Sequence, residues 1–321
     1  MKSHVRVLII GGGAVGCSVL YHLALKGWTD IALTERDELT SGSTWHAAGN
    51  CPTFSTSWNV LKLQRYGNAL YQRLAGDPEH PIDYHVTGSI RLAHGKARMA
   101  EFSHVAAMAR AQGIGFELIG PNEIKARYPL IELDDIAGGL WDPHDGDIDP
   151  SQLTQALAHG ARAAGAEIYR FNPVLAIAAR PDGGWRVTTK GGTIDAEIVV
   201  NAAGYRAGEV AAMVGAEVAA QLPLVSLQHQ YLVTEGIAEI AALPTRLPLL
   251  RDPDVSYYLR QERDGLLLGP YEAAAKPVWP DGIPPGFSTE LFANELDRLE
   301  PYIEQAIARV PALGSVGLKR V

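Results

Sequence analysis

Three groups of residues in this sequence have the types and spacings that chemistry requires. The first is GGGAVG, in which Gly11, Gly13 and Gly16 satisfy G-x-G-x-x-G. In that spacing the first glycine permits a tight turn, the second lets a pyrophosphate approach the backbone, and the third lets a helix pack closely on a strand. Phosphate charge then rests at the helix N-terminus. The second is TSGSTWHAAG, Thr40 to Gly49, where His46 stands alone among small and hydroxyl-bearing residues. By itself such a run is an ordinary turn, and a lone histidine is commonly a hydrogen-bonded structural one. The third spans HQYLVTE, His229 to Glu235, and YYLRQERDGLLLGPYE, Tyr257 to Glu272, which offer a histidine, tyrosines and arginines on strand-like segments. A histidine of near-neutral pKa suits proton removal from an ammonium group, and a guanidinium can bind a carboxylate bidentately.

The glycine motif needs a strand before it and a helix after it. Val5 to Ile10 is a continuous apolar run of the kind that forms a central parallel strand, and Cys17 to Lys26 reads as a helix with Val19, Leu20 and Leu23 inward. Gly27 ends that helix, and Asp30 to Thr34 is a second strand closed by Glu35. Glu35 lies about 20 residues beyond the last glycine, where a carboxylate accepts hydrogen bonds from an adenosine ribose. Strand, glycines, helix, strand and acid in register specify a dinucleotide site.

Further elements interrupt the simple alternation. Helices are predicted at Trp58 to Leu74 and Lys96 to Gln112, and strands at Gly88 to Ala93 and Gly139 to Trp141. The segment PHDGDIDP, Pro143 to Pro150, alternates acids but lacks the glycine and terminal glutamate of a calcium loop, so no metal site is drawn from it. Asp149 as N-cap and Pro150 at the first helical position instead start a helix running from Ser151 to Ala164. Val174 to Ala179, Trp185 to Thr189 and Glu197 to Asn201, joined by tight turns, form a β-meander that ends at AAG, Ala202 to Gly204. From Leu222 onward the chain is strand-rich, with strands at Pro223 to Glu235, Val255 to Gln261 and Gly265 to Gly269, a helix at Thr289 to Leu299 capped by Ser288, and a strand beginning at Val316. The expected class is α/β with an α+β second lobe: a Rossmann-like dinucleotide domain, residues 1–85 and 143–220, and a substrate-binding lobe, residues 86–142 and 221–321.

The 28 Lys and Arg against 36 Asp and Glu give a net charge of −8 with no basic cluster, which argues against nucleic acid. No apolar run reaches bilayer length, and no leader precedes the first strand, so a cytoplasmic protein without membrane contact is expected. Cys17 and Cys51 suggest neither a disulfide framework nor a metal spacing.

GGGAVG, the TER at Thr34 to Arg36, GSTWHAAG and VVNAAG at Val199 to Gly204 together resemble the FAD-dependent amine oxidoreductases of the D-amino-acid-oxidase superfamily. The likeness is nearest to dimethylglycine and sarcosine dehydrogenases and covers the whole chain. It implies an FAD whose 8α-methyl is joined covalently to His46, with Gly42, Ser43, Thr44, Ala47, Ala48 and Gly49 around the ribityl chain and pyrophosphate. Gly11, Gly13, Ala14, Val15 and Gly16 would hold the diphosphate, Glu35 and Arg36 the adenosine ribose and adenine, Val174 would meet the adenine through its backbone, and Gly204 would lie in the small-residue turn that passes close to the cofactor. Taken as residues alone, His46 fits a local structural hydrogen bond and Val174 plain strand packing. Arg206 departs from the resemblance, since many relatives carry Trp there.

The same resemblance implies oxidation of an N-methylated amino acid, such as dimethylglycine or sarcosine, by hydride transfer to flavin N5. His229 would serve as base, Tyr258 as its positioning or relay partner, and Arg260, on the same strand face as Tyr258, as a carboxylate clamp. A packed core histidine and an exposed strand arginine are the competing readings of His229 and Arg260. Oxygen or an electron-transfer flavoprotein would accept the electrons, and folate would enter only through an added aminomethyltransferase region. The resemblance also implies that the chain is truncated at its C-terminal end. The functional alternatives are a non-catalytic dinucleotide-binding fragment and an NAD-linked dehydrogenase.

Overall fold

Residues 1–321 are described by a computed structural model. The apolar run at the start forms His4–Ile10, inside a six-stranded sheet. It lies between Gly192–Asn201 and Ile31–Thr34, with Glu167–Tyr169 beyond, and these strands are mutually parallel. Both faces are covered past Arg6, so Val7, Leu8, Ile9 and Ile10 are buried in succession without alternation. Val7 and Ile9 pack with Leu20, Leu157 and Ala161 of the helices Ala14–Leu25 and Pro150–Ala163. On the opposite face Val5, Leu8 and Ile10 meet Ile177, Val187 and Ile194. The meander strands Val174–Ala179 and Trp185–Thr189 extend this sheet in antiparallel fashion. Asp149 caps its helix as predicted, accepting from the N–H groups of Ser151 and Gln152.

An eight-stranded sheet carries the second half of the fold. Its strands run in the order Leu318–Arg320, Leu232–Thr234, Gly265–Pro270, Tyr257–Glu262, Leu249–Asp252, Ser89–Ala93, Gly138–Asp142 and Glu117–Ile119. Every pairing is antiparallel except that of Leu249–Asp252 with Ser89–Ala93. Ile90, Leu250, Leu259 and Leu268 meet Leu299 and Ala306 of the helix Leu296–Arg309 in its core.

Two sequence expectations change here. The strand expected over Pro223 to Glu235 is two short pieces, Leu227–Gln228 and Leu232–Thr234. The first pairs with Lys276–Pro277 and the second with Gly265–Pro270, so the backbone must break between them, at His229 to Tyr231. The helix expected over Thr289 to Leu299 occupies Leu296–Arg309, because Thr289 has φ 52° and the apolar stripe continues through Ala306. Its N-cap is Glu295, not Ser288.

The acids of PHDGDIDP turn inward and join the two sheets to a small three-stranded sheet made of Asn50–Cys51, Gly146–Ile148 and Tyr84–His85. Asp142 and Asp145 are both 0% exposed. Thr53 Oγ1 donates to Asp142 at 2.6 Å, Thr53 N donates to Asp145 at 2.6 Å, and Ser89 Oγ donates to Asp145 at 2.7 Å. Burial and the neighbouring Asp145 push the Asp142 carboxyl up to about 7. Asp145, despite its burial, is held below the usual range by the Arg91 guanidinium and its hydrogen bonds. The folded chain therefore keeps the Asp142 proton at pH values where the unfolded chain has lost it. Stability should fall as pH rises from 3.8 to about 7, by on the order of 1–4 kcal/mol. Asp142→Asn, which keeps a donor toward Asp145, should flatten that slope in urea titrations run across this range; an unchanged slope would remove Asp142 as its source.

Candidate active site

The glycine turn is held by backbone contacts. Gly11 has φ 115°, and a Cβ there would lie 2.3 Å from the Ala202 carbonyl oxygen. A Cβ on Gly16 would lie 1.9 Å from the Gly11 carbonyl oxygen, so this glycine packs helix on strand and does not line the cavity beside the turn. Gly13 is the N-cap and supplies no side-chain bond, which leaves the first N–H groups of Ala14–Leu25 directed out of the helix. One of them, Ala14 N, donates to Thr44 Oγ1 at 3.1 Å. The Glu35 carboxylate accepts from Gly12 N at 2.6 Å and Asp37 N at 2.9 Å. Burial raises its pKa, and these backbone bonds oppose the rise.

These groups surround a cavity of 350 Å³. Gly11, Gly13, Ala14, Val15, Glu35 and Arg36 line one part of it; Gly42, Ser43, Thr44, Val174 and Gly204 line the rest. A Cβ on Gly13 would meet only Thr44 Oγ1, at 3.0 Å, and one on Gly204 would meet nothing within 4 Å. The turn therefore leaves room for an occupant beside free N–H donors, which is the arrangement a diphosphate needs.

A second cavity, of 630 Å³, adjoins the first, and Ser43 and Tyr205 line both. His46, Ala48, His229 and Tyr258 come together on its wall, with Tyr231, Tyr271, Trp279 and Phe287. Burial lowers the pKa of His46 and keeps the imidazole neutral. Tyr258 is 8% exposed, and burial pushes its phenol up to about 12, so it stands as a proton donor at neutral pH. Its ring needs Gly269 on the paired strand, where a Cβ would lie 2.1 Å from Tyr258 Cζ. His229 is not packed in the core. Its side chain is 50% exposed at the cavity wall, and its Nδ1 is 3.7 Å from the Glu272 carboxylate, which Arg298 holds at 2.6 Å.

Arg260 is not brought to this wall. It lines a separate polar cavity, where its guanidinium meets Asp147 at 3.2 Å and Glu262 at 2.6 Å, so an ion-pair network replaces the clamp drawn from its strand face. The arginine that does line the cavity of His229 is Arg320. Ala47 also faces the polar cavity, and Gly49 has φ 73° with its Cα against the Ile148 carbonyl, so neither lines the two joined cavities. Arg206, the departure noted in the sequence, is 6% exposed and donates to the carbonyls of Pro284 at 2.7 Å and Phe287 at 3.1 Å. Arg36 donates to Pro285 O at 2.7 Å. Both tie down a strap that carries Trp279 and Phe287 over the second cavity. Sequence reasoning missed this strap and Glu272; the PYE that ends the third motif was the one signal for the latter.

A family model described as DAO, FAD dependent oxidoreductase, matches residues 6–320. The chain belongs to this family. Mitochondrial dimethylglycine dehydrogenase of Rattus norvegicus is 44% identical over 317 residues, 97% of this chain and 36% of that protein. Mitochondrial sarcosine dehydrogenase of Homo sapiens is 36% identical over 328 residues, 99% of this chain and 34% of that protein. The chain thus spans about a third of the length of these curated relatives. L-proline dehydrogenase from P. horikoshii shares the fold, with a TM-score of 0.82 at 22% identity, covering 100% of this chain and 80% of its own.

The DAO-family cofactor, FAD, fits the residues present. The glycine cradle and free N–H groups suit its diphosphate, Glu35 and Arg36 its adenosine side, and the joined cavities its extended length. Gly13→Val should fill the cradle while leaving the strand and helix paired. Loading of the flavin-free protein, followed by visible absorbance as FAD is added, should need at least ~10-fold more FAD, with the thermal midpoint little changed, since a lost contact worth about 1.4 kcal/mol is tenfold in binding. Unchanged loading in this variant would place the diphosphate elsewhere.

Proposed function

We propose that this chain forms the flavin and substrate site of an enzyme that oxidises the N-methyl group of a small amino acid such as dimethylglycine or sarcosine. The observation that carries this reading is that His46, His229 and Tyr258 line one cavity, which adjoins the dinucleotide cavity. Two relatives, named as dimethylglycine and sarcosine dehydrogenases, support the substrate class.

When bound, FAD supplies the electron sink for a hydride from the N-methyl carbon. Residues of the chain prepare the substrate. An N-methyl amino acid arrives as an ammonium carboxylate, and its nitrogen lone pair must be freed before the methyl C–H bond can break. His229 takes that proton, with the Glu272 carboxylate 3.7 Å from its Nδ1. Tyr258, protonated and braced by Gly269, donates a hydrogen bond that orients the amine or the histidine. The aromatic wall of Tyr231, Tyr271, Trp279 and Phe287 excludes water and suits methyl groups. Arg320 offers the guanidinium for the carboxylate.

His46 is proposed as the covalent anchor to the flavin 8α-methyl carbon. Its neutral imidazole keeps a nitrogen lone pair available for that bond. Acid-denatured wild-type protein should retain flavin fluorescence on the polypeptide, and His46→Ala should release it into solution. Free flavin from the wild type, or bound flavin in the variant, would sink the anchor.

His229→Ala should lower kcat with dimethylglycine or sarcosine by about 10²–10⁴-fold, and more steeply at low pH than at high pH, where the free amine is already present. Turnover measured with oxygen and with an artificial acceptor will also show whether oxygen or a flavoprotein partner takes the electrons. Equal turnover in wild type and variant would remove His229 as the base.

A further inference from the structure

His229 stands where the chain has no ladder to hold it. It lies between the short strands Leu227–Gln228 and Leu232–Thr234, and the backbone groups of His229, Gln230 and Tyr231 bond to no other backbone group. Its side chain is half-exposed on the cavity wall, so close packing alone does not fix the ring.

The first turn of the helix Leu296–Arg309 supplies the missing bonds. The Gln230 side chain accepts from Glu295 N at 2.8 Å and donates to Glu295 O at 3.2 Å, which ties down the residue after His229. Arg298 Nη2 donates to Gln228 O at 3.3 Å, which ties down the residue before it, and to the Glu272 carboxylate at 2.6 Å. Its Nη1 donates to Glu295 Oε2 at 2.7 Å. One guanidinium thus holds both the backbone that leads into His229 and the carboxylate that stands 3.7 Å from its Nδ1. Arg298 itself does not line the cavity.

Glu272 depends on this contact. Its side chain is 5% exposed and its Oε1 has no hydrogen-bond partner, so the Arg298 fork is what holds the carboxylate in place. A planar guanidinium can serve several acceptors from one rigid head, which a flexible ammonium cannot do with the same geometry. We infer that Arg298 is a positioning residue for the reaction: it sets the His229 imidazole beside Glu272 and toward the cavity without touching the substrate. The inference rests on His229 as the base proposed above and adds the group that places it.

Steady-state turnover of the flavin-loaded chain with dimethylglycine tests this. Arg298→Met should lower kcat by ~10–100-fold, the size of effect that follows when a reacting group is misplaced by about 1 Å, while KM changes less than ~3-fold. Arg298→Lys, which keeps the charge and loses the fork, should recover part of kcat. Made in His229→Ala, Arg298→Met should cost less than ~2-fold, because its effect runs through the imidazole. Lys276→Met, which removes only an exposed ion pair with Glu295, should stay within ~2-fold of wild type in both constants. An equal loss in the His229→Ala background, a rise in KM alone, or wild-type kcat in a folded Arg298→Met overturns the inference. Removing the cation from a buried carboxylate can unfold a chain. In that event Arg298→Lys decides: a kcat loss of ~3-fold or more at unchanged KM upholds the inference, and wild-type kcat overturns it. No turnover in wild type, or equal turnover in wild type and His229→Ala, would instead sink the proposed reaction or its base. Crystal structures of wild type and the folded arginine variant then decide the placement: a His229 ring that leaves Glu272 upholds it, and a ring held at 3.7 Å overturns it.

Discussion

The close approach of two backbones at Gly11 and Gly16 is the constraint on which the rest of the site depends. No side chain fits where the Gly16 Cα meets the Gly11 carbonyl, or where Gly11 meets Ala202. Once these contacts close, the turn between them has only a few groups left to bond, and it uses them to organise the next segment of chain. Gly12 N reaches Glu35, Gly12 O accepts from Thr40 N at 3.1 Å, and Ala14 N reaches Thr44. The segment that carries His46 is thus fixed by the glycine turn.

That dependence explains why the cofactor half of the site was legible in the sequence. Its parts are local, and each constraint acts over a few residues: glycines where backbone meets backbone, Glu35 at a strand end, Asp149 and Pro150 at a helix start. The second half was harder to read because it is assembled from distant pieces. Alternation along Tyr257–Glu262 correctly places Tyr258 and Arg260 on one side of the sheet. Two residues of strand nevertheless advance about 7 Å, enough to pass from one cavity into the next, and Asp147 captures Arg260 there. Which carboxylate waits beside an arginine is a tertiary fact that alternation does not contain. The split of Pro223 to Glu235 has the same origin, since two different partner strands supply its hydrogen bonds.

The buried acids show how a run set aside as a ligand motif can still matter. Asp145 and Asp147 face different networks, one with Thr53, Ser89 and Arg91, the other with Arg246 and Arg260. Strand periodicity alone would put residues two apart on one face, but Asp145 precedes the strand Gly146–Ile148 while Asp147 lies inside it, so the two acids reach different partners. A run that looks like a ligand set is here a pair of structural struts, joining the segment that leaves His46 to the sheet that carries Tyr258.

The strap held by Arg36 and Arg206 separates attachment from composition. Both arginines grip carbonyl oxygens of Pro284, Pro285 and Phe287, and a carbonyl is present whatever side chain accompanies it. Trp279 and Phe287, which line the larger cavity, add ring contacts with Tyr205 and with each other to that backbone attachment. Exchange of either ring alters the cavity wall while leaving the arginine–carbonyl contacts in place. Side chains can thus reshape the cavity wall while main-chain oxygens keep the strap moored to Arg36 and Arg206.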